Sequence, residues 1–377
     1  MYKLKDFAQD ISVAIKDVQS SPFDRFVGLE HYDSGEPVIT RYTDKSLLSS
    51  SVKEFRKNDI LIARRNVYLK RAGIAFFDGL TSGDSIVLRV YDDCESRTGI
   101  SKQDAIRIIP FILNSNVFWA YANKHADGMN SKRISKEMLY DYEFDLPPLA
   151  EQKVLAEKLW AAYRLKESYK KLLAATEEMV KSQFIEMFGN PVTNNKEWNT
   201  LPIKDVAPET PSIEKQTGKV WILNLDMIES NTGKVVEKVF ENDSNLLSVA
   251  PFDEGNVLYS KLRPYLNKVV IPDGKGYATT ELVPLRPNQK LLNLTFFSHL
   301  LRGDDFVTYA NSISTGTKMP RMPLNDLRKF QCILPLMEKQ NEFEEIAHQA
   351  DKSGSGGRES VALMDKVKKS LINYYNI

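Results

Sequence analysis

LPPLAEQKVLAEKLWAAYRLKESYKKLLAATEEMVKSQFIEMFGN, residues 146–190, is the stretch that decides the fold. Two prolines open it, and no further Gly or Pro occurs before Gly189. Proline is tolerated at the start of a helix but not inside one, and glycine commonly ends a helix. The stretch therefore predicts one helix from about Ala150 to Gly189, whose roughly 38 residues would extend about 57 Å.

Apolar residues recur along this predicted helix at close to seven-residue spacing. The seam consists of Leu155, Leu159, Ala162, Tyr169, Leu172 and Met179. A seam of this length is more typical of a coiled coil than of an ordinary core helix. We therefore expect the helix to pack along most of its length against a second helix.

A second copy of the same pattern closes the chain. Leu334-Pro335-Leu336 opens a similar run that ends at Ile377. Identical residues 188 positions apart include Leu146 and Leu334, Gln152 and Gln340, Lys181 and Lys369, and Ser182 and Ser370. A repeat at a fixed spacing indicates two copies of one structural unit.

The segments before the two helices repeat as well. Identical residues 188 positions apart include Tyr121 and Tyr309, Gly128 and Gly316, Arg133 and Arg321. Nearer the N-terminus the offset drifts to 199, at Lys5-Asp6 and Lys204-Asp205, as loop insertions and deletions produce. The predicted domains are residues 1–143, a first spacer helix 144–190, residues 191–333, and a second spacer helix 334–377.

Both predicted domains mix strands and helices. In the first, β-type runs cover residues 27–30, 38–40, 59–63, 73–77 and 85–90, and a helix is predicted over 106–124. In the second, residues 256–260 take the place of 59–63. The expected fold class is α/β (α+β): two similar mixed domains separated by two long antiparallel coiled-coil helices, with a pseudo-two-fold internal repeat.

The second long helix contains an unusual run, Ser353-Gly354-Ser355-Gly356-Gly357. Each glycine costs a helix about 1 kcal/mol relative to alanine. The run predicts a flexible break in that helix.

Composition places limits on the function classes. A chain of 377 residues with 42% hydrophobic and 27% charged residues is typical of a globular protein of two or three domains. No apolar run is long enough for a membrane span, and the N-terminus has no signal-peptide core. Two isolated cysteines, Cys94 and Cys332, exclude a disulfide scaffold and suit the cytoplasm.

No catalytic motif is present in the sequence. Asp145-Leu146-Pro147-Pro148 is only superficially like the Asp-Pro-Pro-Tyr motif of adenine methyltransferases, since the aromatic that would stack on the base is missing. Walker A, GxSxG and HExxH patterns are absent, and the four histidines are scattered, so neither a catalytic nor a metal site is predicted.

Basic residues recur at equivalent places in the two domains. They follow the matching strands and lie in the later polar turns: Arg64, Arg65, Lys70, Arg71, Lys132 and Arg133 in the first domain, and Lys261, Arg263, Tyr265, Lys268, Lys318 and Arg321 in the second. Lys and Arg beside Gly, Ser and Asn suit phosphate contacts, and Arg also reads guanine. Solvated surface charge explains any one of them equally well, but the recurrence favours binding of double-stranded DNA.

These stretches resemble one known family. The start at 146–152, the end at Phe184-Ile185-Glu186-Met187-Phe188-Gly189-Asn190-Pro191 and the stretch 255–264 are similar to type I restriction-modification specificity subunits. The resemblance covers nearly the whole chain. It implies two target recognition domains that each read one half of a split DNA site, with two antiparallel helices setting the spacer.

The resemblance also implies partners and cofactors. Such a chain has no catalysis of its own and no cofactor. It assembles with two adenine-N6 methyltransferase (M) subunits, which bind S-adenosylmethionine, and with restriction (R) subunits, which use ATP and Mg²⁺. The glycine-rich run is a departure from the family pattern and puts the rigidity of the second helix in question.

Two other function classes stay open from the residues. A protein-interaction scaffold of two modules on a coiled coil would not contact DNA, and its binding would lack the steep salt dependence of phosphate contacts. A modification enzyme would bind S-adenosylmethionine as an isolated chain.

Overall fold

The structure is a computed structural model that describes residues 1–15, 17–18, 21–47, 52–212, 216–242, 249–375 and 377. The chain divides into two compact units, residues 1–169 with 359–377, and residues 170–358. The division falls inside both long helices, so each unit contains part of each. The units are described separately below.

The first unit begins with twelve short strands among the described residues. They are β1 (Tyr2–Lys3), β2 (Ala8–Asp10), β3 (Ala14–Ile15), β4 (Arg25–Val27), β5 (Val38–Ile39), β6 (Thr43–Asp44), β7 (Val52–Phe55), β8 (Ile60–Ala63), β9 (Ala72–Ala75), β10 (Gly79–Ser82), β11 (Ser85–Val90) and β12 (Glu143–Phe144). Its helices are α1 (Leu4–Phe7), α2 (Cys94–Thr98), α3 (Lys102–Ile112), α4 (Asn116–Lys124), α5 (Lys136–Tyr140) and the start of α6 (Leu149–Phe188).

The second unit has a similar succession of elements with fewer strands. Its strands are β13 (Thr200–Pro202), β14 (Lys219–Leu223), β15 (Val239–Asn242), β16 (Val249–Phe252), β17 (Val257–Ser260), β18 (Val269–Val270), β19 (Gly276–Thr279), β20 (Leu282–Leu285) and β21 (Gln331–Ile333). Its helices are α7 (Ile203–Val206), α8 (Leu294–Arg302), α9 (Asp304–Ser312), α10 (Leu324–Lys329) and the start of α11 (Met337–Tyr375).

Strand order confirms the predicted repeat. In the first unit the sheets run β2-β11-β8-β9-β5 and β3-β7-β10-β4-β6, and in the second β18-β17-β20 and β15-β14-β19-β16. The central trio β11-β8-β9 thus matches β20-β17-β18, and β7-β10-β4-β6 matches β16-β19-β14-β15. Each unit also pairs its first strand with the strand before a long helix, β1 with β12 and β13 with β21.

Two strands form the centre of the core, as their apolar sequence predicts. All four residues of β8 and all four of β17 are buried. Helices α3 and α4 cover the first core, and α8 and α9 the second, with Phe111, Phe118, Phe296 and Phe306 fully buried. Burying an aromatic or aliphatic side chain of this size contributes about 2 kcal/mol.

Two local predictions were wrong. The helix expected over 106–124 is two helices, because the Ser115 hydroxyl accepts a hydrogen bond from Phe118 N and starts α4 as its N-cap. Residues Leu29–His31 form a 3-10 turn where the end of a strand was expected, since only Val27 in that run is β-branched.

Both long helices start through the same contact. Gln152 Nε2 donates to the Pro147 carbonyl at 2.7 Å, and Gln340 Nε2 donates to the Pro335 carbonyl at 2.7 Å. Both glutamines are buried, and each amide ties the first turns of its helix to the carbonyl of a proline just ahead of the helix. The identical contact explains why Gln is found at both positions, 188 residues apart.

Within each unit the two long helices run antiparallel. In the second unit Phe343 packs on Phe184 and Phe188, whereas Leu173 lies beside Gly354 and Gly357. Residues of increasing number in α6 therefore contact residues of decreasing number in α11. In the first unit Lys166 Nζ contacts Asp365 Oδ1 at 2.6 Å.

The predicted seam of α6 was one residue out of register in its second half. Leu172 and Met179 are 54% and 49% exposed, whereas Val180 is buried. The seven-residue series runs through 159, 166, 173 and 180, and residue 166 is a lysine. Because a lysine was not expected in a seam, the apolar pattern suggested 172 and 179 instead.

Lys166 is buried, with 6% of its surface exposed, and two carboxylates compensate its charge. Its ammonium contacts Glu36 and Asp365. The equivalent position in α11 is Gly354, which lines a cavity of about 400 Å³ together with Glu177, Arg302 and Arg358. One seam position is thus filled by an ion-paired lysine in the first unit and left open in the second.

The predicted flexible break at 353–357 is wrong, since α11 is helical throughout its 39 residues. A Cβ at Gly357 would lie 2.9 Å from Leu173 Cδ2, and none of the described atoms lies within 4 Å of a Cβ at Gly356. Gly357 thus permits a close approach of α11 to α6 that a side chain would prevent. Packing against α6 offsets the low helix propensity of the run.

The two glycines provide a stability test of this packing. Gly356→Ala should stabilise the chain by about 1 kcal/mol, because alanine has the higher helix propensity and the site is open. Gly357→Ala gains the same propensity but must displace Leu173, so its free energy of unfolding should be lower than that of Gly356→Ala. Urea denaturation followed by circular dichroism measures both. Equal stabilisation by the two substitutions would contradict the close approach.

None of the helices in the described part of the chain is long and apolar enough to span a membrane.

Candidate nucleic-acid interface

The first basic turn, residues 64–71, connects β8 to β9. Asn66 and Lys70 adopt the left-handed conformation, with φ of 55° and 51°, on either side of the 3-10 turn Val67–Leu69. Non-glycine residues are uncommon in this region of φ/ψ space and persist where the surrounding structure holds them. The turn is closed by a hydrogen bond from Ala63 N to the Arg71 carbonyl, at 3.0 Å.

The second basic turn, residues 261–268, connects β17 to β18 with the same geometry. Arg263 and Asn267 are left-handed, with φ of 50° and 47°, around the 3-10 turn Pro264–Leu266. Ser260 N donates to the Lys268 carbonyl at 3.0 Å. Equivalent positions lie 197 apart and pair Arg64 with Lys261, Asn66 with Arg263, Lys70 with Asn267, and Arg71 with Lys268.

The polar turn of each unit lies beside its basic turn. In the first unit Ile134 N donates to Arg64 O and Asn66 N to Lys132 O, at 3.0 and 2.7 Å. In the second, Met322 N donates to Lys261 O and Arg263 N to Pro320 O, at 2.9 and 2.7 Å. The structure therefore unites the two sets of basic residues that the sequence keeps about sixty positions apart.

Acidic residues that sequence reasoning missed hold the two turns together. Asp84 lies 3.4 Å from Arg133 and 3.8 Å from Arg65. At the equivalent position Glu281 binds Arg321 with both oxygens, the shortest contact being 2.9 Å, and this hydrogen bond raises the pKa of Arg321. Asp84 and Glu281 lie 197 positions apart, as the basic turns do, and this spacing in the sequence could have identified them as equivalent residues.

Other cations of the basic turns are held by backbone carbonyls. Arg71 Nη1 donates to Leu29 O at 3.0 Å, and Lys268 Nζ donates to Leu225 O at 2.5 Å. In the described part of the chain neither has a carboxylate within 4.0 Å, and burial lowers the pKa of Arg71. Arginine stays protonated in proteins, so Arg71 leaves a positive charge on the first basic turn that no nearby carboxylate compensates.

Three guanidinium donors on the basic turns are buried and unsatisfied. The Nε atoms of Arg64, Arg71 and Arg263 have no hydrogen-bond acceptor among the described residues. Buried polar groups normally have a partner, and an anionic oxygen is the natural acceptor for a guanidinium.

An exposed tyrosine stands at the centre of each turn. Tyr68 is 61% exposed and Tyr265 is 51% exposed, each as the second residue of its 3-10 turn. The sequence singled out Tyr265 but missed Tyr68, although the two lie 197 apart. An exposed tyrosine on a rigid turn can present its ring and hydroxyl to a ligand.

A half-buried histidine supports the second basic turn. Asn267 Nδ2 donates to Arg302 O at 2.8 Å, and Arg302 Nη2 donates to His299 Nε2 at 2.7 Å. Since Arg302 can only donate, His299 is neutral and its Nδ1–H donates to Thr295 O at 2.9 Å. Burial, followed by the charge of Arg302, lowers the pKa of His299 to about 3.

Lys318 lies exposed on the second polar turn, which Thr315 and Arg321 close by a backbone bridge. Lys132 is likewise exposed beside Arg133. In the described part of the chain, three or more His, Cys, Asp or Glu residues do not converge as a metal site requires. The two surfaces are cationic, and their charges match at Arg64 and Lys261 and at Arg71 and Lys268.

Comparison with known proteins identifies the fold. No protein-family model matches the chain. The curated type I restriction enzyme EcoDI specificity subunit of Escherichia coli is 24% identical over 188 residues, which are 48% of this chain. The match covers 41% of that relative, so the chain spans about two fifths of its length.

Two solved structures align over almost the whole chain. The type I restriction-modification S subunit of M. genitalium has a TM-score of 0.54 at 12% identity, covering 98% of this chain and 95% of that one. A chain from a structure addressing complex assembly and conformational transition of the type I R-M system has a TM-score of 0.51 at 15% identity, covering 99% and 98%.

The fold is that of a type I restriction-modification specificity subunit. This specificity-subunit fold accounts for the paired strand orders and the two long helices of the chain. It confirms the expected class of two similar mixed α/β domains with long antiparallel helices.

The half-buried His299 predicts a pH-dependent stability. An unfolded histidine titrates near 6.5, whereas folded His299 titrates near 3. Its neutral contacts therefore stabilise the fold fully above pH 6.5, and this stability is lost as pH falls from 6.5 towards 3. The slope would be on the order of 1.4 kcal/mol per pH unit. His299→Gln, which cannot ionise, should flatten the curve of urea midpoint against pH between 6.5 and 4.

The matched control is His125→Gln, because His125 lies at the end of α4 in the first unit. That substitution should leave the pH curve of the wild type unchanged. Identical curves for wild type and His299→Gln would contradict a neutral imidazole at His299.

Proposed function

We propose that this chain is the DNA sequence-specificity subunit of a type I restriction-modification complex. Residues 1–143 and 191–333 would each recognise one part of a double-stranded target. The observation that supports this most directly is the recurrence of one cationic, backbone-identical surface in two domains of the specificity-subunit fold. A single-domain binder or an enzyme would have no reason to duplicate this surface.

The target is asymmetric and bipartite in this proposal. The two domains share the order of their central strands but differ in most side chains, so they would prefer different bases. The spacer is helical, and a 40-residue helix such as α6 extends about 60 Å, longer than one turn of DNA. Residues 144–190 and 334–377 would therefore set the distance between the two half-sites.

The subunit contributes recognition and not catalysis. The resemblance of 146–152, 184–191 and 255–264 to the family implies two methyltransferase subunits and restriction subunits as partners. S-adenosylmethionine, ATP and Mg²⁺ would then belong to those partners, and methylation of adenine N6 would be directed to the site that this chain selects. The reducing cytoplasm, where such complexes meet DNA, suits the two free buried cysteines.

A domain exchange tests the modular part of the proposal. Residues 1–143 are replaced by the corresponding domain of another specificity subunit and expressed with the methyltransferase. Because each domain would read its own half-site, the methylated sequence should change in one half only. Sequencing of methylated adenines across the genome reports both halves at once.

The reciprocal exchange of residues 191–333 is the matched control and should change the other half. A change in both halves, or in neither, would contradict independent reading. A scaffold without DNA contact predicts that methylation does not depend on this chain.

A further inference from the structure

The two basic turns are alike although the half-sites that the domains recognise must differ. This contrast rests on the proposed function. We propose that each basic turn binds the sugar–phosphate backbone of DNA and does not read bases. Residues 64–71 would hold one half-site and residues 261–268 the other, by the same contacts.

Identity of position is the first argument. Arg64 and Lys261 have the same backbone geometry, the same hydrogen-bonded neighbours and the same charge, and so do Arg71 and Lys268. A positive charge that recurs at the same place in both domains offers the same interaction to two different half-sites. Phosphates are common to every half-site, and contacts to them position a protein without specifying sequence.

The distribution of charge separates binding cations from structural ones. Arg133 and Arg321 are bound by Asp84 and Glu281, which offset their charge. Among the described residues, Arg64 and Lys261 have no carboxylate within 4.0 Å. Each basic turn therefore carries a positive charge that no carboxylate of the described residues offsets, in addition to the exposed Lys132 and Lys318 of the polar turns. The acidic residue connects the polar turn to the basic turn.

The donor groups suit the same ligand. Arg64 and Lys261 lie at equivalent positions on the two turns and are partly exposed. Phosphate oxygens accept strong, charge-assisted hydrogen bonds from guanidinium and ammonium donors. The exposed Tyr68 and Tyr265 add a hydroxyl at the centre of each turn, and tyrosine is a common donor to phosphate.

Rigidity suits an anchor. Each turn has two left-handed non-glycine residues and is hydrogen-bonded to a buried strand and to the polar turn. Such a turn cannot adapt to different base edges, whereas the phosphate spacing of duplex DNA varies little with sequence. The turn would fix the register in which the more variable parts of each domain meet the groove.

The test uses the full chain assembled with its methyltransferase subunits. Wild type, Arg64→Ala, Lys261→Ala and the double variant are incubated with a pool of random duplexes, and the enriched motif is sequenced. Affinity for that motif and for an unrelated duplex is then measured over a series of salt concentrations. Lys290→Ala is the matched control, because Lys290 is an exposed lysine of the same unit outside the basic turn.

Each single substitution should leave the enriched motif unchanged. It should weaken binding to both duplexes by a similar factor, about tenfold, since one charge-assisted contact is lost. The slope of log affinity against log salt should fall by about 1 for each single variant and about 2 for the double variant. Lys290→Ala should match the wild type, and Lys261→Arg, which keeps the charge, should restore the slope.

A motif altered in either half would overturn the inference, because it would show base reading by the turn. An unchanged salt slope would overturn it as well. If a variant has a lower melting temperature than the wild type, the comparison uses Lys261→Arg and Lys261→Gln in its place. Both replacements are long side chains, but only the arginine is charged. A wild-type complex that enriches no motif would overturn the proposed function, while the slopes on plain duplex would still decide the inference.

Discussion

Packing of each domain on the long helices is the constraint on which the rest depends. In the second unit Phe184 and Phe188 of α6 meet Phe296 of α8 at centroid distances of 5.5 and 4.7 Å, and Phe343 of α11 closes the cluster. In the first unit Trp160 packs on Phe111 at 5.1 Å and donates from Nε1 to Arg107 O. These contacts connect the spacer helices to the layer that supports the central strands.

The two units fill the equivalent position between the long helices with different side chains. Lys166 is buried because Glu36 and Asp365 compensate its charge, and removing one partner of such a group is strongly unfavourable. Gly354, at the equivalent position, leaves a cavity, and Gly357 brings α11 close to Leu173. Repeated backbones thus tolerate opposite side-chain solutions as long as the helix–helix contact is kept.

The two cationic surfaces follow from the central strands. Because β8 and β17 are wholly buried, the residues that follow them emerge from the core at a defined place and direction. Left-handed residues turn the chain back within eight positions, and the acidic residues Asp84 and Glu281 bind the neighbouring polar turn. A rigid cationic surface is the result in each domain, and its charge is suited to a polyanion.

The sequence by itself determined the repeat, the two long helices, the β-rich domains and the presence of basic residues after the central strands. Those features depend on local rules: proline and glycine limits, seven-residue spacing, and runs of β-branched residues. It also located Tyr265, Arg263 and Lys261, because they follow a recognisable strand.

Tertiary structure decided what distance along the chain conceals. It placed Arg133 against Arg65, paired Glu281 with Arg321, and revealed Tyr68 as the counterpart of Tyr265. It showed that the contact face of α6 passes through residue 173 and not 172, in register with the buried Lys166. A buried lysine is stable only with carboxylates, and these come from other segments of the chain. It kept α11 helical through five residues of poor propensity, because packing against α6 outweighs the local preference of glycine.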